Sequence, residues 1–212
     1  MNKEKKTVAI IVAHPDDETL WAGGTILSNP GWNCFIASLC RRDDPDRAPK
    51  FERVLKILGA AGVMGDLDDG PEQIPLNEQV VQNTILDLLP LTHFDLIITH
   101  SPYGEYTRHR RHEEIGRAVI NLWHSDKLTT AELWAFAFED HQRQYNPMAI
   151  ETAPIFYSLP HEVWEKKYSI VTDIYGFTHE SWEAQTTPKE EAFWQFLVAA
   201  DAYNWLVNAK TA

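Results

Sequence analysis

Four short runs of apolar, mostly branched residues, Val8–Ala13, Cys34–Cys40, Asp95–Thr99 and Leu133–Phe138, are separated by segments whose apolar residues recur at helical spacing. Short runs without polar alternation read as strands buried on both faces, and strands alternating with helices read as βαβ units. The spacing predicts helices over Thr19–Ser28, Phe51–Gly59, Asn77–Leu89, stopped by Pro90, and His112–Trp123. The expected fold class is therefore α/β and Rossmann-like: a mainly parallel β-sheet with helices on both faces. After about residue 140 the pattern weakens into an aromatic, proline-punctuated stretch, and Glu190–Val207 reads as a closing helix. With 212 residues, no repeat and no Gly/Ser linker, a single domain over 1–212 is expected.

The balance of 31 acidic against 19 basic residues gives a net charge of −12. That disfavours nonspecific binding to nucleic acid or anionic membranes, which rests on excess Lys and Arg. No apolar run reaches the length of a membrane span or a signal h-region. Cys34 and Cys40 fall in one predicted strand, roughly 20 Å apart at strand rise, beyond disulfide reach. A reducing cytoplasm is the simplest setting for such a chain.

In an open parallel sheet, ligands sit beyond the carboxyl ends of the strands. The first run ends there, in AHPDDE, where His14 is followed by a stiffening Pro15 and by Asp16 and Asp17. These acids would also suit an ordinary helix start, complementing its dipole. A second cluster argues for chemistry. The strand Asp95–Thr99 runs into HSPYGEYTRHRRHEE, in which His109 and His112 stand three apart at a helix start, a spacing that brings both side chains to one face. Imidazole and carboxylate together form a good donor set for Zn²⁺, with Fe²⁺ a further option in a reducing cell.

The stretch AHPDDETLWAGGTI resembles the signature of the LmbE-like, or PIG-L-type, zinc-dependent de-N-acetylases, and the later His-x-x-His resembles the second motif of that family. The resemblance covers about the first 120 residues. It implies an LmbE-like fold and removal of an N-acetyl group from an N-acetylglucosamine-type sugar conjugate. His14, Asp17 and His112 would hold the metal. Asp16 would be the general base, and His109 would stabilise the oxyanion or carry a proton. The family's arginine is matched by Arg47. Two departures stand out: Arg110-Arg111 replace the Pro-Asp usual between the histidines, and Trp21 stands where a small residue is common. An amidase acting on a non-sugar acylamine, and a catalytically silent carbohydrate-binding relative, are the alternatives. A homo-oligomer is compatible with the eight tryptophans.

Six of the nine arginines, including Arg42, Arg47 and Arg110, lie in two loops leaving the carboxyl edge. They suit either a solvated face paired with neighbouring acids or a rim that selects an anionic group on the substrate. Trp21, one helical turn past Asp17, is expected to offer its ring to a sugar.

Overall fold

The unbroken apolar sequence of β1 (Thr7–Val12) places it in the middle of the sheet, in a computed structural model that describes residues 5–208. The order along the chain is β1, α1 (Asp17–Ser28), β2 (Asn33–Cys40), α2 (Arg47–Leu58), β3 (Ala61–Leu67), α3 (Glu78–Leu88), β4 (His93–Thr99), α4 (Arg110–His124) and β5 (Thr129–Phe136). There follow β6 (Phe138–Glu139), β7 (Met148–Ala149), β8 (Ile155–Ser158), α5 (His161–Ser169) continued by a π-helical turn, α6 (Trp182–Thr186), β9 (Glu190–Phe196) and α7 (Ala199–Asn208). Seven strands form one sheet in the order β3-β2-β1-β4-β5-β9-β8; the first five are parallel, and β9 and β8 extend them antiparallel.

The two faces of β1 feed separate cores. Val8, Ile10 and Val12 pack with Trp21, Phe51 and Val54 beneath α1 and α2, whereas Ala9, Ile11 and Ala13 pack with Val81, Ile85 and Val119 beneath α3 and α4. Each fully buried Ile contributes about 1.5–3 kcal/mol relative to exposure, so two-sided burial fixes the strand at the centre. Because α1 covers one face and α4 the other, the chain diverges beyond the carboxyl ends of β1 and β4. That is the switch point at which open α/β sheets bind ligands. Gly116 lets α4 press onto this edge, since a Cβ there would lie 2.4 Å from the His100 carbonyl oxygen.

The fold corrects one expectation. Glu190–Phe196 is a strand, not the start of a closing helix, which is confined to α7. Pairing with β5 and β8 decides this, and Glu191 is drawn fully inside, where its carboxylate accepts the Gly24 and Thr25 amides (2.8 and 2.7 Å) and pairs with buried Lys167 at 2.7 Å. Both cysteines are free and buried. Among the described residues no helix is long and apolar enough to cross a membrane.

Candidate active site

The turn after β1 is held in an unusual shape. Asp16 has φ 142°, a region that favours glycine, and an aspartate there costs on the order of 1–3 kcal/mol. Its surroundings hold it: the Asp16 amide donates to Glu18 (3.0 Å), while its carbonyl accepts the Thr19 and Leu20 amides (2.9 and 2.8 Å) that start α1. Glu18 is buried and also accepts the Thr19 and Tyr175 hydroxyls. The third acid of the motif is thus a brace for the turn.

Three donor atoms converge behind this turn. His14 Nδ1 lies 3.1 Å from Asp17 Oδ2, His112 Nε2 lies 3.3 Å from that oxygen, and the two nitrogens are 3.3 Å apart. A tetrahedral ion with bonds of about 2.0–2.1 Å separates its ligands by about 3.3 Å, so the triangle has the size of one face of such a site. Asp17 is oriented by the His14 amide (2.8 Å) and by Trp21 Nε1 (3.1 Å).

Further acids stand behind the imidazoles. Glu105 Oε2 lies 2.7 Å from His112 Nδ1 and 3.1 Å from His100 Nδ1, and its other oxygen accepts the Ser101 amide. Burial opposes its charge, but His100 and His112 prevail and hold its carboxyl down at about 2. An ionised Glu105 fixes the proton of His112 on Nδ1 and leaves the Nε2 lone pair facing Asp17. The Ala13 amide donates to His100 Nε2 (3.0 Å), so His100 also keeps its proton on Nδ1, although Glu105 and Asp17 pull it toward full charge. On the far side, Asp69 Oδ1 is 3.2 Å from His14 Nε2, out of line for a hydrogen bond, leaving that buried nitrogen without one. Asp69 is anchored by Gln73 (2.9 Å) and Arg41 (3.1 Å). Cys40 lies near this pair, and burial raises its thiol pKa.

The exposed edge of the cluster forms a cavity of about 150 Å³ lined by His14, Asp16, Arg47, Tyr106, His109 and Trp182, among others. Burial, reinforced by the neighbouring Asp17 charge, raises the Asp16 pKa against the pull of Arg47, whose Nη1 donates to Oδ2 at 3.1 Å. His109 stacks on His112 with ring centroids 4.4 Å apart, and its buried Nδ1 has no hydrogen-bond partner. Burial and the adjoining His112 and His14 press its pKa down to about 3, so it is a neutral imidazole.

His14, Asp16, Asp17, His109 and His112 are therefore brought together, and Arg47 joins them. Trp21 is a correction: it is fully buried between Tyr106 and Phe138 and has no face to offer a sugar. Arg42 is another, being exposed and engaged by Asp43 and Asp66 away from the cavity. Arg110 lines a separate cavity beside α3 and α4. His179 is exposed against Tyr168 and does not reach the site. Sequence reasoning missed Glu18 and Glu105, whose partners come from the fold, and also Tyr106, Trp182 and Glu183 at the cavity wall.

No protein-family model matches the chain. An uncharacterised protein, L374, of Acanthamoeba polyphaga mimivirus is 24% identical over 127 residues, 53% of this chain and 56% of that protein, so the match spans about half the length of this relative. Among solved structures, the N,N'-diacetylchitobiose deacetylase of Pyrococcus horikoshii superposes with a TM-score of 0.68 at 16% identity, covering 94% of this chain and 85% of its own. The 4-carboxy-2-hydroxymuconate hydratase GalB of Pseudomonas putida gives 0.54 at 19% identity, over 85% and 83% of the two chains. A teicoplanin deacetylase, Orf2, in a zinc-inhibited form gives 0.55 at 16% identity, over 80% and 84%. The chain has the LmbE-like α/β fold of these deacetylases, a fold that also carries a hydratase.

Proposed function

We propose that this protein is a metal-dependent amide hydrolase that removes the N-acetyl group from an N-acetylglucosamine-type sugar conjugate. The observation that carries the proposal is the His14–Asp17–His112 triangle, with edges of 3.1, 3.3 and 3.3 Å, opening onto a cavity that also holds Asp16 and His109. The deacetylase neighbours and the resemblance of the first motif support the same reading. The donor set fits Zn²⁺, and Fe²⁺ also suits imidazole and carboxylate. When bound, the ion supplies Lewis acidity, lowering the pKa of water toward about 7 and polarising the carbonyl oxygen.

The remaining steps belong to the chain. Asp16, basic through burial and aimed by Arg47, takes a proton from the attacking water as its oxygen bonds to the acetamide carbon. His109, neutral and carrying an N–H, donates to the oxyanion that develops. Asp16 then returns its proton to the departing nitrogen as the C–N bond breaks, giving acetate and a free amine. Arg47 keeps one carboxylate oxygen occupied and leaves the other for the proton transfers.

Zinc- or iron-loaded protein should release acetate and a primary amine in equal amounts from an N-acetylglucosaminyl conjugate. Metal-loaded protein that yields neither would contradict the reading, and acetate from non-sugar acylamines alone would move it to the amidase alternative. A second expectation concerns Asp69 behind His14. Asp69→Asn should weaken metal affinity by about 10–100-fold, because it removes the negative charge 3.2 Å from His14 Nε2. Competition with a chromophoric chelator measures this, and an unchanged affinity would exclude Asp69 from the metal's support.

A further inference from the structure

We propose that Trp182 and the cleft beyond it seat the second unit of a two-unit or larger sugar conjugate, so that the protein selects against free monosaccharides. This rests on the deacetylase reading above and adds a specificity-determining residue to it.

The first observation is one of size. The cavity at the metal-ligand triangle has a volume of about 150 Å³, below the roughly 300–1,000 Å³ of clefts that enclose small-molecule ligands. It shares Tyr106, Trp182 and Glu183 with a neighbouring cavity of about 620 Å³. A substrate whose acyl end reaches His14 and Asp16 therefore leaves most of its bulk outside this cavity, and the larger cleft adjoins it along three shared residues. The second observation is an aromatic path between them. The Tyr106 ring lies edge-on to His112 (5.4 Å) and to Trp182 (4.8 Å), and Trp182 is 39% exposed. An exposed tryptophan lining a cleft suits the apolar faces of sugar rings, the role that buried Trp21 cannot fill.

The third observation is the polarity of the cleft wall. The side chains of Glu183, Gln144 and Asn146 line it, and among the described residues none of the three is hydrogen-bonded within the chain. Carboxylate and amide groups offer both acceptors and donors, which suits a ligand rich in hydroxyls. Trp182 opens α6, whose start is capped by Ser181 accepting the Ala184 amide.

The test compares N-acetylglucosamine with a β-linked N-acetylglucosamine disaccharide, using zinc-loaded wild type, Trp182→Ala and Trp182→Phe. Wild type should prefer the disaccharide by tenfold or more in kcat/KM. Trp182→Ala should remove most of that preference, and Trp182→Phe should retain part of it. Equal losses on both substrates, or a wild type that treats them alike, would overturn the proposal. Calorimetric titration of the disaccharide reads the same contact without turnover: binding at least tenfold weaker to Trp182→Ala supports the seat, and equal affinity or no binding to wild type refutes it. Disaccharide binding that depends on Trp182 without acetate release would leave the seat standing and refute the hydrolase reading instead.

Discussion

Asp16→Asn is expected to lower kcat by about 10²–10⁴-fold, the usual contribution of a positioned general base, while leaving the bound metal in place. The amide keeps the size of the carboxylate and can still meet the Arg47 side of the cavity, but it cannot accept a proton at neutral pH. Asp16 is not a corner of the donor triangle, so the ligand atoms of His14, Asp17 and His112 are untouched. The strained backbone at φ 142° points the same way, since strain of this kind persists where the surroundings over-determine it, and Glu18 and Tyr175 do so here. Kinetics and elemental analysis on one preparation decide the matter. Full activity would exclude Asp16 as the base, and loss of metal would make it a ligand; either result contradicts the assignment of the two aspartates.

The parts of the fold legible in the sequence are those where one physical signal dominates. β1 and β4 are apolar on both faces because helices cover both, and runs so short and rich in branched residues suit a buried strand better than a helix. β3 escaped notice for the opposite reason. Its sequence, AGVMGDL, includes two glycines that its neighbours require: a Cβ on Gly62 or Gly65 would lie 2.6 or 2.8 Å from a carbonyl oxygen of β2. β9 misleads because Phe193, Trp194 and Phe196 satisfy a helical pattern as well as a strand, and only pairing with β5 and β8 chooses between them.

The site divides along the same line. His14, Asp16 and Asp17 follow the end of β1, and His109 and His112 open α4, two short segments within each of which spacing brings the side chains close. Glu105 lies in an irregular turn, and nothing local reveals that its carboxylate will meet two imidazoles. Helical spacing does place Trp21 on the face of Asp17, but that face points inward, and the ring supports the carboxylate from within. The arginine-rich loops leave the expected edge of the sheet, yet Arg42 and Arg108 turn to nearby acids, and Arg111 is buried against Asp68, Ile74 and Glu114. Charge clustering in sequence thus identified the edge but not the direction of the side chains.

Asp17→Ala should have the largest effect on metal. Asp17 Oδ2 is the atom shared by the contacts with His14 Nδ1 and His112 Nε2, so its removal takes one corner of the triangle and leaves only the two imidazoles. The loss should exceed the roughly 10–100-fold associated with an outer-shell partner. Thermal unfolding of the metal-free proteins separates this from a failure to fold. Calorimetric titration of Zn²⁺ into metal-free wild type and metal-free Asp17→Ala is the most direct measurement of the central claim. The triangle predicts one site per chain in wild type and an affinity more than hundredfold weaker in the variant; equal stoichiometry and affinity in the two proteins would contradict it.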